Sequence, residues 1–142
     1  MKKFLGLGLL AIAFASCSDD DAGSTIDMNQ LTKKWYTSTY SVGGVAMPDD
    51  NEPCGKDNIE FLAEGILKAV EVYDCNGNTP VTDSYTGTYT VNGHEVTLTL
   101  DGDSTTATVT ELTATTLKVT YKEDFNEDGN LVDIVETYTS TP

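Results

Sequence analysis

The sequence predicts an all-β fold, a single antiparallel up-and-down meander of about eight strands closed into a β-barrel. Three observations carry that prediction. From Tyr85 onward apolar and polar residues alternate with period two, the pattern of strands with one buried face. Successive turn signals join those strands into hairpins whose registers keep the apolar residues on one side. Upstream, two cysteines flank a further hairpin and read as a disulfide across it. A flatter sandwich of the same strands is the alternative.

The chain opens on Met1-Lys2-Lys3 and an unbroken run of apolar residues and glycine from Phe4 to Phe14. Ala15 and Ser16 are the small residues that precede a signal-peptidase cut. Residues 1–16 therefore read as a secretory signal, too short to span a bilayer. Phe14-Ala15-Ser16-Cys17 resembles the bacterial lipobox, whose cysteine is acylated (palmitate being one such chain) and becomes the mature N-terminus. Ser18-Asp19-Asp20-Asp21 is similar to the acidic tag that follows the lipidated cysteine in surface lipoproteins of Bacteroidetes-type bacteria. These resemblances imply a protein held to the outer membrane by its lipid alone and exposed at the cell surface. Residues 17–25 are then the lipidated cysteine and tether, and residues 26–142 one domain. By composition alone the acidic stretch is an ordinary solvated tether, and an unlipidated Cys17 would belong to a soluble secreted protein.

Charge excludes one class of partner. The net charge is −15 at pH 7, and all eight basic residues are lysines. A chain so acidic is repelled by nucleic acid and by anionic headgroups, and it has no guanidinium fork with which to read phosphate.

Ile26 to Lys33 is expected to form a short helix or turn that plugs one end of the barrel, and Trp35 to Val42 the first strand. Ile59–Leu62 and Ile66–Tyr73 read as a hairpin around Ala63-Glu64-Gly65. A two-residue loop at Glu64-Gly65 sets Cys54 opposite Cys75. A three-residue loop ending on a left-handed Gly65 shifts the register by one and places Lys68 opposite Glu60 on the outer face. Either register leaves the cysteines within bridging reach. Next, Tyr85, Gly87, Tyr89 and Val91 share one face, with threonines on the other. Asn92-Gly93 is a hairpin signal that pairs Tyr89 with Val96 and Gly87 with Leu98. A turn at Gly102-Asp103 pairs Leu98 with Ala107 and Val96 with Val109, and one around Thr113-Ala114-Thr115 pairs Val109 with Val119 and Ala107 with Tyr121. Val132 to Thr139 is the last strand.

Four stretches are similar to the lipocalin-like domains of Bacteroidetes lipoproteins: residues 31–36, 54–61 and 74–77, and the final Val135-Glu136-Thr137-Tyr138. The resemblance implies a lipocalin-like barrel over nearly all of the mature chain, and no particular ligand.

Four candidate sites follow, with Cys17 as the lipidation site and Cys54–Cys75 as the disulfide. Asp124, Asn126, Asp128 and Asn130, with Asp133 behind them, place oxygens as in the first half of an EF-hand loop, with Gly129 at the turn position. Calcium is therefore the candidate cofactor. The loop lacks the terminal glutamate, since Val135 stands there, and the same residues also suit a plain acidic turn. Trp35, Phe61, Tyr85, Tyr89, Tyr121 and Tyr138 are expected to point inward, where they either line a pocket for a small hydrophobic ligand or fill a packed core. Catalysis has little to stand on, because the single histidine, His94, follows a turn signal and no free thiol, zinc spacing or phosphate loop occurs. The expected function is a small-molecule binding lipoprotein, monomeric and not an enzyme. A packed interaction module is the alternative.

Overall fold

Period-two alternation becomes eight strands wound into a closed antiparallel barrel, in a computed structural model that describes residues 26–48, 51–124 and 129–142. In chain order the strands are β1 (Lys34–Val42), β2 (Val45–Ala46), β3 (Asn58–Phe61), β4 (Ile66–Asn76), β5 (Thr79–Asn92), β6 (Glu95–Leu100), β7 (Asp103–Leu112), β8 (Thr116–Glu123) and β9 (Val132–Thr139). Strands β3 to β9 follow one another as neighbours. β1 closes the ring by pairing with β3 on one edge and β9 on the other. The two-residue β2 lies outside the ring count, folding back on the end of β1 through Gly43-Gly44. The closed barrel replaces the sandwich alternative; only the β4–β5 ribbon runs on past it, since β6 pairs with β5 from Thr88 onward while β4 pairs with it from Thr79.

The first hairpin takes its three-residue form. Phe61 pairs with Leu67 and Glu60 with Lys68, around a single 3₁₀ turn at Ala63–Gly65 in which Glu64 and Gly65 both have positive φ. Cys54 and Cys75 are disulfide-bonded with Cα atoms 6.0 Å apart. The bridge holds the segment before β3 over the outer face of β4, where the Asp57 carboxylate accepts the Val72 amide at 2.7 Å and Val72 is buried although it faces outward.

Two expected registers are corrected, each by two residues. Tyr89 pairs with Leu98 rather than Val96, because Asn92 stays in the strand opposite Glu95 and the turn is Gly93-His94. Gly93 alone takes positive φ there, as the first central residue of a II′ turn requires. Val96 pairs with Ala107 rather than Val109, because the next turn is Asp101-Gly102 with both residues at positive φ, the I′ pattern. A two-residue shift leaves every side chain on its original face, so the apolar surfaces still meet. Val109 pairs with Val119 as expected, ahead of a bulge before Glu111.

The core gathers at the end of the barrel where β1 begins. Leu31, Trp35, Phe61, Leu67, Leu112 and Leu117 are buried there, with Ile26 and Met28 packed against them. The chain entering β1 makes one 3₁₀ turn at Met28–Gln30, capped by Asp27, and drops Leu31 into the barrel as the plug.

Candidate functional site

Above that plug the barrel is hollow. A cavity of about 280 Å³ opens inside it, lined by Leu31, Phe61 and Leu117 beside the plug and by Lys122 and Glu123 at the end of β8. Its walls are the inward positions of β3 and β6–β9, and Ile59, Val96, Leu98, Val109 and Val119 make them apolar. Space arises where inward positions carry small residues, Thr105 and Ala107 on β7. The volume sits near the lower end of small-molecule pockets and is about twice the roughly 150 Å³ that suffices for benzene.

A cluster of polar groups enters this wall at β8 and β9. Glu136, at the middle of β9, lies opposite Val119 and turns its carboxylate inward. The Tyr121 hydroxyl donates to Glu136 Oε1 at 2.8 Å, and the Tyr138 hydroxyl donates to Glu136 Oε2. Burial, then the adjoining Glu136 charge, raises the pKa of Tyr121 far above the ordinary phenol value, and the same causes in the same order raise that of Tyr138. Both phenols are therefore held as proton donors to the carboxylate. At the mouth, Lys122 pairs with Asp133 at 2.7 Å.

The structure divides the six aromatic residues expected to point inward. Phe61, Tyr121 and Tyr138 line the cavity. Trp35 does not, because it is fully buried below the cavity with its Nε1 donating to the Leu31 carbonyl at 2.9 Å. Tyr89 packs edge-on against Phe61, with ring centroids 5.0 Å apart, and donates its hydroxyl to the Leu62 carbonyl at 2.8 Å. It buttresses the wall from behind. Tyr85 belongs to the inward face of β5, but where the long β4–β5 ribbon is exposed, and its hydroxyl meets Glu71 instead of the cavity. Sequence reasoning missed Glu136. The signal was present, since Ile134, Glu136 and Tyr138 share one face of a strand whose tyrosine was already expected inside.

Cys17 and the acidic tether lie outside the described residues, as do Asn126 and Asp128 of the candidate calcium loop. Of that loop's other members, Asp124 Oδ2 accepts the Gly129 amide at 2.9 Å and Asp133 is the partner of Lys122. Among the described residues no three His, Cys, Asp or Glu side chains converge as a metal site would require. His94 is exposed in its turn, and its carbonyl accepts the Val109 amide at 2.8 Å.

The family model for the lipocalin-like domain matches residues 31–119. Among solved structures, a lipocalin-like protein from Bacteroides uniformis is similar at a TM-score of 0.56 and 17% identity, over 78% of this chain and 97% of that one. An uncharacterized protein from Bacteroides eggerthii gives 0.54 and 16%, over 77% and 98%. The possum milk whey lipocalin trichosurin, solved with bound 4-ethylphenol, is more distant at 0.47 and 16%, over 79% and 77%. At such identities the likeness is one of fold. No curated protein matches the chain.

Proposed function

The chain belongs to the lipocalin-like domain family, and from that premise we propose that its barrel binds one small apolar or amphipathic molecule in the central cavity. The observation that carries this reading is the apolar-walled space of about 280 Å³ inside a closed barrel, with one cluster of polar groups to orient an occupant. A solid barrel acting only through its surface would have no use for such a space. The chemistry is retention rather than turnover: the polar cluster in the cavity is a carboxylate with two tyrosines held as its donors, Thr105 lies on the facing wall, Lys122 and Glu123 stand at the mouth, and the single histidine lies elsewhere. The signal, lipobox and acidic tag support a lipid anchor at Cys17 that presents the monomeric barrel on the outer face of the outer membrane.

Native mass spectrometry of the protein purified from an oxidising compartment tests the binding reading. An adduct of a few hundred daltons that is lost on denaturation is expected, as is uptake of an apolar fluorescent probe that Ala107→Leu suppresses by filling the cavity. A bare mass together with no probe uptake counts against it. Incorporation of a labelled fatty acid, abolished by Cys17→Ser, tests the anchor separately.

A further inference from the structure

We propose that the cavity selects cationic amines, a primary ammonium on a single ring or short alkyl body, with Glu136 as the counter-ion. This rests on the cavity-binding reading and names the ligand class it takes. A carboxylate offers about four lone-pair positions, and the two tyrosine hydroxyls occupy one on each oxygen, leaving the remainder facing the cavity. Because Tyr121 and Tyr138 spend their protons on Glu136, what their oxygens still offer is acceptance. The cluster thus presents acceptors and a negative charge, and no donor. A ligand that complements it must bring donors, and an ammonium brings three together with the opposite charge.

The surrounding charges point the same way. Glu123 stands at the mouth, where it adds to burial and to Glu136 in holding Tyr121 protonated. Among the described residues Lys122 is the one cation lining the cavity, and its ammonium is at 2.7 Å from Asp133 with a side chain 62% exposed. It is thus engaged outside, and no lysine among the described residues neutralises Glu136 from within. A carboxylate in an apolar wall that is hydrogen-bonded but has no cationic partner is costly, and a bound cation would offset that cost where a fatty acid would add to it. The volume limits the body of the ligand to about one ring or an equivalent chain.

Isothermal titration of the full chain with three matched probes tests the inference: phenethylamine, phenethyl alcohol and phenylacetate. The amine is expected to bind about tenfold or more tightly than the alcohol, the margin of a charge-assisted over a neutral hydrogen bond, and the acid most weakly. Glu136→Gln is expected to erase the preference for the amine while alcohol binding persists, which also shows that the variant is folded. Equal affinity for amine and alcohol in the wild type overturns the inference and leaves the cavity reading standing, and that comparison needs no variant. Persistence of the preference in Glu136→Gln likewise overturns it. Failure of all three probes to bind overturns the cavity reading together with it.

Discussion

The indole of Trp35 donates its Nε1–H to the carbonyl of Leu31 at 2.9 Å, tying the first strand to the plug that closes the barrel beneath the cavity. The same carbonyl also accepts the Lys33 amide at 2.8 Å, and the Lys33 ammonium lies 5.1 Å from the Trp35 ring centre. Trp35→Phe removes the bond and leaves a void, with an expected cost of about 2 kcal/mol. Leu31→Ala, which pulls the plug itself, should cost about 2–5 kcal/mol. Urea unfolding with the slope held common to the variants reads both values.

The disulfide spans 21 residues and holds the segment that covers Val72. Loop-closure entropy for a bridge of this span predicts a loss of about 3 kcal/mol in the double variant Cys54→Ser, Cys75→Ser. Denaturant midpoints of the oxidised and reduced wild type should show a loss of the same size. Equal midpoints would place the stability of the hairpin in its strand pairing alone.

Gly87 and Gly93 are glycines for different reasons, and substitution separates them. A Cβ on Gly87 would stand 2.0 Å from the Thr99 carbonyl oxygen and 2.8 Å from Leu100 Cδ2, since β6 crosses close over β5 there. At Gly93 a Cβ meets nothing within 4 Å, and only the positive φ of 61° resists it. Gly87→Ala is expected to cost about 3 kcal/mol or prevent folding, and Gly93→Ala about 1 kcal/mol. The reverse order of thermal midpoints would contradict the close approach.

Alkaline pH should unfold the barrel through its cavity tyrosines. Burial, followed by the Glu136 charge, raises Tyr121 above the ordinary value of 10.0, and Tyr138 is raised in the same way. Below that ordinary value the folded and unfolded chains both keep these phenols protonated, so the stability is fully present. As pH rises past it the unfolded chain ionises first, and stability falls until the folded phenols ionise too. Phenolate absorbance should therefore show part of the seven tyrosines titrating reversibly and the rest appearing only with unfolding. Tyr121→Phe should shrink that late class and shift the alkaline midpoint upward.

Much of the barrel is legible in the sequence, for local reasons. Alternation along a strand, a glycine that accepts positive φ and paired cysteines about a hairpin are properties of neighbouring residues, and they specify eight strands, their faces and one disulfide. The turns at Gly93-His94 and Asp101-Gly102 were misplaced because shifts of two conserve the pattern that was read: Tyr89 meets an apolar partner whether that is Val96 or Leu98. The acidic loop from Asp124 illustrates another limit, since Asp133 faces Lys122 across a strand pair that the linear motif does not contain.

By itself the sequence determined that this chain is a meander with one apolar face, a plug before Trp35 and a bridge between Cys54 and Cys75. Whether the ring of strands is filled or hollow was decided only in three dimensions. An interior is the sum of side chains arriving from every wall, and the vacancy above Leu31 exists because the small Ala107 and Thr105 face across it while Trp35 and Tyr89 spend their bulk elsewhere. The meeting of Tyr121, Tyr138 and Glu136 is likewise tertiary, because it needs β8 and β9 in one register with Val119 opposite Glu136. Pattern along the chain sets which side of a strand is buried; packing across the barrel sets what that side encloses.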